Sequence, residues 1–409
     1  MRALFRCVAC GSDEFAGQVW GRRPLLTRAS ELPRDYSDLL SPAMVDEIIA
    51  ERGVRTPFVR MAREGTLVDR ASFTRSAGFG AQIGDQLDPD GVLTQYAAGA
   101  TLVLQGLHRF WPPIIDFVRG MTSDIGHPVQ TNAYITPPAN RGFDPHYDVH
   151  DVFVLQVSGT KQWRVHEPVH HHPLADQPWT DHREAIAERA KDEPVIDTVL
   201  EPGDCLYLPR GWIHSAEAQG DTSIHLTVGV APLTGHDVAT AMIEALASEA
   251  ELRASLPFGL APVDAARAEP HAREVLDVLA RLIAEKQEQL SALAGDALAG
   301  KYLDLTRPAA IRPLATLDAV AALDADTRLR LREGLHVRVD CTDSAAADAD
   351  TVVLRLPTKS VTFPAVCASA LRAVLEGDPV SAGTLPGLDA DDGLVVLRRL
   401  LREGVVVAL

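Results

Sequence analysis

The chain has 409 residues, 46% hydrophobic and 23% charged, with a formal net charge of −17. That apolar content suffices for more than one core without disulfides or a structural metal, and the length suggests two or three domains. An acidic chain is poorly suited to direct nucleic-acid binding through its overall field, and no stretch approaches the ~18 uninterrupted apolar residues of a membrane span. Five scattered cysteines, Cys7, Cys10, Cys205, Cys341 and Cys367, form no disulfide framework and suit a reducing cytosol. The N-terminus lacks the apolar run of a signal peptide, so a cytoplasmic protein is expected.

Near the N-terminus, Cys7-Val8-Ala9-Cys10 has the CxxC spacing, but no second ligand pair lies nearby, and two ordinary thiols are expected. Ser41-Pro42 ahead of Ala43 to Ile49 is a helix start, with Ser as cap and Pro in the first turn. Arg55 to Met61 reads as a strand, and a helix follows the Trp111-Pro112-Pro113 break. From Gln130 to Val230 short strands crowd together. Thr131–Thr136 alternates, Val152–Val157 is apolar on both faces, and Lys161–Val165 returns after a Ser158-Gly159-Thr160 turn. Leu206–Leu208 stops at Pro209, and Ser223–Val228 alternates strictly. Many short strands with Gly and Pro turns predict a jelly roll of the cupin class.

Beyond residue 235 the period changes. Residues 236–256 and 271–293 predict helices, the second with Val275, Leu279 and Leu282 on one stripe widened by Leu276 and Ile283, and Pro257, Pro262 and Pro270 in the gap. A dimer through Val275, Leu279, Leu282 and Ile283 is one way to bury that stripe, and burial within the monomer is the other. The last region predicts strands at 335–339 and 352–356, helices at 364–375 and 391–402, and a terminal strand. The expected organisation is α+β: a cupin-like double-stranded β-helix over residues 1–235, a helical domain over 236–306 and a winged-helix-like domain over 307–409. Arg398, Arg399 and Arg402 on the last helix are expected to form a solvated face.

The chemistry concentrates in Asp144-Pro145-His146-Tyr147-Asp148. On an extended backbone, side chains two apart share a face, so His146 and Asp148 would converge on one point. His214, after Gly203-Asp204 and a short strand, is the best third ligand. Two His and a carboxylate leave open positions on an octahedral metal, as in non-haem Fe(II) oxygenases. Lys161 stands one hairpin away, where a fixed cation could pair with a carboxylate. His166, His170, His171 and His172 read as an exposed loop, and Trp163 and Trp212 as packing aromatics.

Taken together, Pro-His-Tyr-Asp-x-x-Asp-Val-Phe-x-Leu-Gln-x-x-Gly-x-Lys-x-Trp and Gly-Asp-x-Leu-Tyr-Leu-Pro-x-Gly-Trp-x-His resemble the JmjC-type cupins of the ribosomal oxygenase family. Those are Fe(II)- and 2-oxoglutarate-dependent protein hydroxylases, acting on arginine or histidine of ribosomal proteins. They have a JmjC domain, a helical dimerisation domain and a C-terminal winged helix. The resemblance implies His146, Asp148 and His214 as iron ligands, and 2-oxoglutarate and O2 as co-substrates. It implies Lys161 as partner of the distal carboxylate of 2-oxoglutarate, a position that is Arg in the bacterial arginine hydroxylases. Asn132 and Tyr134 fall where the family has pocket residues, and Thr227 and Ser223 could add hydroxyls, with His225 on their face. It further implies a protein substrate and a homodimer. Two other readings stay open: hydroxylation of a natural-product precursor peptide or small molecule, and a non-catalytic cupin that only binds.

Overall fold

The computed structural model describes residues 2–63, 65–138, 144–261, 263, 265–341 and 351–409. Pro262 and the side chain of Cys341 lie outside the described residues. The chain divides into two compact units, Met1–Pro232 and Leu233–Leu409.

The first unit is built on an eight-stranded antiparallel sheet. Its strands are β1 (Leu25–Thr27), β2 (Val59–Arg63), β3 (Thr66–Leu67) and, past a hairpin of β4 (Thr74–Arg75) and β5 (Gln86–Leu87), β6 (Thr101–Leu104), β7 (Val129–Thr136) and β8 (Asp151–Ser158). A smaller antiparallel sheet contains β9 (Lys161–His166), β10 (Ile196–Leu200) and β12 (Ile213–Ala218), while β11 (Cys205–Leu208) and β13 (Ser223–Val230) return to the large one. The orders are β1-β11-β8-β13-β7-β6-β2-β3 and β10-β9-β12. The predicted helix at Ser41-Pro42 spans Pro42–Glu51, with the Ser41 hydroxyl accepting from the Met44 N–H at 3.3 Å. Its Val45 and Ile48, with Ile114, Phe117 and Met121 of the helix Pro112–Ile125, join one side of the sheet in the main core. Between the two sheets, Val152, Val154, Trp163, Val165, Leu206 and Leu208 form a second apolar cluster, against which Trp212 packs. This places both tryptophans in packing roles, although Trp163 also faces a cavity.

Two turns fix the frame. Gly159 joins β8 to β9 with φ +61°, and a Cβ there would stand 2.1 Å from the Thr222 carbonyl oxygen, so only glycine lets the chain pass. Asp204, ahead of β11, accepts from Arg28 Nη1 at 2.7 Å, Ala29 N–H at 2.8 Å and Glu201 N–H at 3.0 Å. The Gly-Asp pair is therefore a turn lock that aims β11 and the following Pro209–Gly211 turn at the start of β12.

Cys7 is buried and Cys10 half-buried, both as free thiols. His166 ends β9 in a buried position, whereas His171 and His172 are exposed.

In the second unit, the predicted helix 236–256 ends at Leu246, after a cap in which Thr234 and Asp237 bond reciprocally, and a short turn Ala250–Arg253 follows. The predicted helix 271–293 is two helices, Ala265–Glu285 and Gln287–Leu305, parted at Lys286. Leu246, Leu282 and Leu290 bury together, but Leu276 is 63% and Ile283 41% exposed, so the stripe is only partly covered within the unit. The remainder holds helices Pro313–Ala322, Ala368–Leu375 and Ala390–Arg402. With them are the pair β14 (Leu329–Leu331) and β18 (Val406–Ala408), and a sheet of β15 (Arg338–Cys341), β16 (Thr351–Leu356) and β17 (Lys359–Pro364). The strand expected at 335–339 thus begins only at Arg338, since Leu335 closes a turn onto Arg332. Among the described residues, no helix is long and apolar enough to cross a membrane.

Candidate active site

A cavity of about 270 Å³ opens between the two sheets, near the lower size limit of small-molecule pockets. His146, Asp148, His214 and Lys161 all line it. The expectation that His146 and Asp148 ride on a strand is corrected: the segment runs ahead of β8 and holds to the β12 side by backbone bonds. His146 N–H donates to the His214 carbonyl at 3.1 Å, His214 N–H to the His146 carbonyl at 2.8 Å, and Gly211 N–H to the Asp148 carbonyl at 3.0 Å. This bridge brings together residues 68 apart. The two imidazoles lie 4.5 Å apart between centroids, and His214 Nε2 stands 3.8 Å from Asp148 Oδ2.

The donor set suits a metal. His146 Nδ1 stands 2.7 Å from the Asp144 carbonyl oxygen and His214 Nδ1 3.1 Å from that of Trp212. A carbonyl can only accept, so each Nδ1 carries the proton and each Nε2 keeps its lone pair. Backbone partners of this kind orient metal-binding histidines. Burial, with His146 nearby, pulls the His214 imidazole down to about 4, which keeps it neutral and ready to ligate. Burial raises the Asp148 carboxyl, but His150, His214 and His146 outweigh it and hold the group below its usual range. Among the described residues, no three or more His, Cys, Asp or Glu side chains stand close enough together to hold a metal ion as they lie. The triad is convergent but open.

At the other end Lys161 is buried, with its Nζ 3.2 Å from the Thr136 hydroxyl and 6.0 Å from the centre of the Trp163 ring. Its position follows from register: Lys161, Trp163 and Val165 stand opposite Ala218, Ala216 and His214, so lysine and histidine share a face. Burial alone lowers the ammonium to about 7. Among the described residues, no carboxylate pairs with it.

The large sheet supplies the facing wall. Tyr134 and Thr227 line the cavity as anticipated, but Asn132 and Ser223 do not. The Asn132 amide oxygen accepts from the Gly106 N–H at 2.9 Å, and the fully buried Ser223 hydroxyl accepts from Gln156 Nε2 at 3.0 Å. His225, weighed only as a neighbour in register, lines the wall, stacked on Tyr134 at 5.1 Å and 3°. Burial, then Lys161 and His214, hold its imidazole well below the usual range. Thr136 and Arg60 line it too, and neither carries a local signal; only pairing of β2 with β6 and β6 with β7 brings Arg60 near.

Residues 109–238 match the family model of the JmjC domain. Ribosomal oxygenase 1 of Bos taurus is 34% identical over 217 residues, 53% of this chain and 31% of that protein. The bifunctional lysine-specific demethylase and histidyl-hydroxylase NO66 of Culex quinquefasciatus is 29% identical over 258 residues, 61% of this chain and 38% of that protein. The chain thus spans about a third of the length of these curated relatives. Two solved structures of YcfD from Escherichia coli, one of them described as a ribosomal oxygenase in complex with cobalt and 2-oxoglutarate, share the fold with TM-scores of 0.50 and 0.52, 17% identity and 98% coverage of both chains. Residues 109–238 are similar to the JmjC domain, in a chain similar to ribosomal oxygenase 1 in sequence over about half its length and to YcfD in fold.

Proposed function

We propose that the chain is an Fe(II)- and 2-oxoglutarate-dependent oxygenase that hydroxylates a protein side chain, with a ribosomal protein as the substrate its relatives point to. One observation carries this reading: a buried lysine with no anionic partner among the described residues shares a small cavity with two Nε2-ready histidines and a carboxylate. An isolated buried cation is costly, and a carboxylate from a ligand relieves that cost. 2-Oxoglutarate would meet both ends, with His146, Asp148 and His214 serving its keto acid group and Lys161 and Thr136 its far carboxylate. Iron held by His146, Asp148 and His214 would supply O2 activation coupled to oxidation of 2-oxoglutarate to succinate and CO2. The residues of this chain do the rest: they fix imidazole tautomers, neutralise the co-substrate and exclude water with Trp163, Val152 and Val154. The helical region 236–306 would serve dimerisation and residues 307–409 would form the winged-helix-like module. The test is mass spectrometry of host ribosomal proteins incubated with the protein, Fe(II), O2 and 2-oxoglutarate. Gain of one oxygen atom at a defined residue is expected; no gain, with 2-oxoglutarate consumed at the background rate, contradicts the reading.

A further inference from the structure

A second cavity, of about 220 Å³, lies on the opposite face of the small sheet. Side chains two apart on a strand share a face. On β9, Lys161 and Trp163 line the active-site cavity, whereas Arg164 and His166 line this one. Ser215 and Glu217 of β12, with Asp144 ahead of the triad, add to its polar wall. Asp144 ties the two places together. Its carbonyl accepts from His146 Nδ1 at 2.7 Å, so the segment that carries the first ligand also borders the second cavity. The volume is below the range of pockets for whole small molecules, which makes one side chain the scale of its occupant.

The wall offers acceptors. His166 is only 4% exposed, and its Nδ1 has no hydrogen-bond partner among the described residues. Burial, outweighing the nearby Asp192 carboxylate, holds the imidazole below its ordinary range, so it is neutral and keeps one nitrogen as an acceptor. Arg164, the one cation among the described lining residues, is already engaged, with its Nε 3.6 Å from Asp197 Oδ2. The described lining residues thus hold two carboxylates, Asp144 and Glu217, against one engaged cation. Lysine and arginine side chains carry donors only, and a cation placed here would meet carboxylate, hydroxyl and imidazole acceptors. The chain as a whole, at −17, also favours a basic partner. Resting on the oxygenase reading, we propose that this cavity is a docking subsite for a lysine or arginine side chain that flanks the target residue of the protein substrate. Glu217 and His166 would hold the cation while the target residue occupies the active-site cavity, with the Asp144–His146 segment between the two. Ribosomal proteins, which meet RNA phosphates through lysine and arginine, supply such flanks.

The test uses the full chain with Fe(II) and 2-oxoglutarate, and overlapping peptides that tile the host ribosomal proteins, with oxygen gain read by mass spectrometry. In the best peptide each lysine is replaced in turn by norleucine and each arginine by citrulline. One of these neutral replacements is expected to raise KM about tenfold with kcat little changed. Glu217→Gln is expected to raise KM for the parent peptide by a similar factor and to leave that neutral peptide unaffected, because the contact is then already broken. An unchanged kcat shows that the variant is folded. Glu51→Gln removes an exposed carboxylate at the end of the helix Pro42–Glu51, and is expected to leave KM unchanged, which separates a local contact from the acidic field of the whole chain. Additive losses from Glu217→Gln and the neutral peptide overturn the inference. So does a KM that neither moves, or one that Glu51→Gln raises equally. Oxygen gain on no ribosomal peptide also overturns it, and if N-oxalylglycine then fails to bind the metal-loaded protein, the oxygenase reading falls with it.

Discussion

The two ends of the cavity are built on opposite principles. At the triad, backbone carbonyls satisfy each Nδ1 and backbone bonds pin His146 to His214, so the protein completes the orientation of its own ligands. At Lys161, one hydroxyl is the hydrogen-bond partner of a buried ammonium among the described residues, with no carboxylate beside it. On the proposed reading, the first end would hold a metal and the second would await a co-substrate. The contrast implies that damage at the triad abolishes chemistry, whereas damage at Lys161 weakens binding.

The sharpest way to break that contrast is Asp148→Ala. Turnover is expected to fall below detection while the thermal transition stays near wild type, because Asp148 is partly exposed and contributes little to the core. Turnover near wild type in a peptide assay would remove Asp148 from the triad. Next comes Lys161→Ala. Loss of one partner from a buried ion pair typically costs ~3–5 kcal/mol, or roughly two to four orders of magnitude in half-saturation for 2-oxoglutarate. Lys161→Arg is expected to recover part of this, since guanidinium also pairs with carboxylates but is larger and planar. A titration of 2-oxoglutarate consumption at saturating Fe(II) reads both.

A smaller effect follows from pH. With the Lys161 ammonium held down to about 7, the free protein must take up a proton to pair with a carboxylate above that pH. Half-saturation for 2-oxoglutarate is therefore expected to be flat below pH 7 and to rise by up to about tenfold per pH unit above it, a dependence that Lys161→Arg removes. For stability the sign is reversed. The unfolded lysine binds its proton more tightly than the folded one, so this group destabilises the ligand-free protein most below pH 7. The penalty eases as pH rises toward the ordinary lysine value of 10.5. Thermal melts of ligand-free wild type and Lys161→Met across that range check it. The smallest expected effect is at the hairpin that sets Lys161 in place. Gly159→Ala forces a Cβ onto the Thr222 carbonyl at a positive φ, and denaturant melts are expected to show a loss of about 1–3 kcal/mol.

How much of this was legible in the sequence follows from the range of each signal. His146, Asp148 and Lys161 were visible because a two-residue spacing and a Gly turn are local. His214 was found through the Gly-Asp and Pro-x-Gly-Trp punctuation ahead of it, although β12 itself was missed. Its residues, Ile213-His214-Ser215-Ala216-Glu217-Ala218, do not alternate cleanly. Asn132 and Ser223 share alternation with Tyr134 and Thr227 yet turn to other partners, Gly106 and Gln156, which only tertiary structure reveals. Arg60 was invisible for the same reason. It reaches the cavity only through two successive strand pairings, and Thr101–Leu104, the strand between, reads as a mixed apolar run. The helix break at Lys286 was hidden because the apolar stripe continues on either side of it.

The most direct test of the central claim, that one cavity holds a metal at one end and a carboxylate at the other, is calorimetric titration of N-oxalylglycine into wild type, Asp148→Ala and Lys161→Ala, with Mn(II) or with chelator. The account predicts tight binding only for wild type with Mn(II), and strong weakening by either substitution or by chelation. Binding that is indifferent to the metal, or that survives in Lys161→Ala with Mn(II), would contradict it.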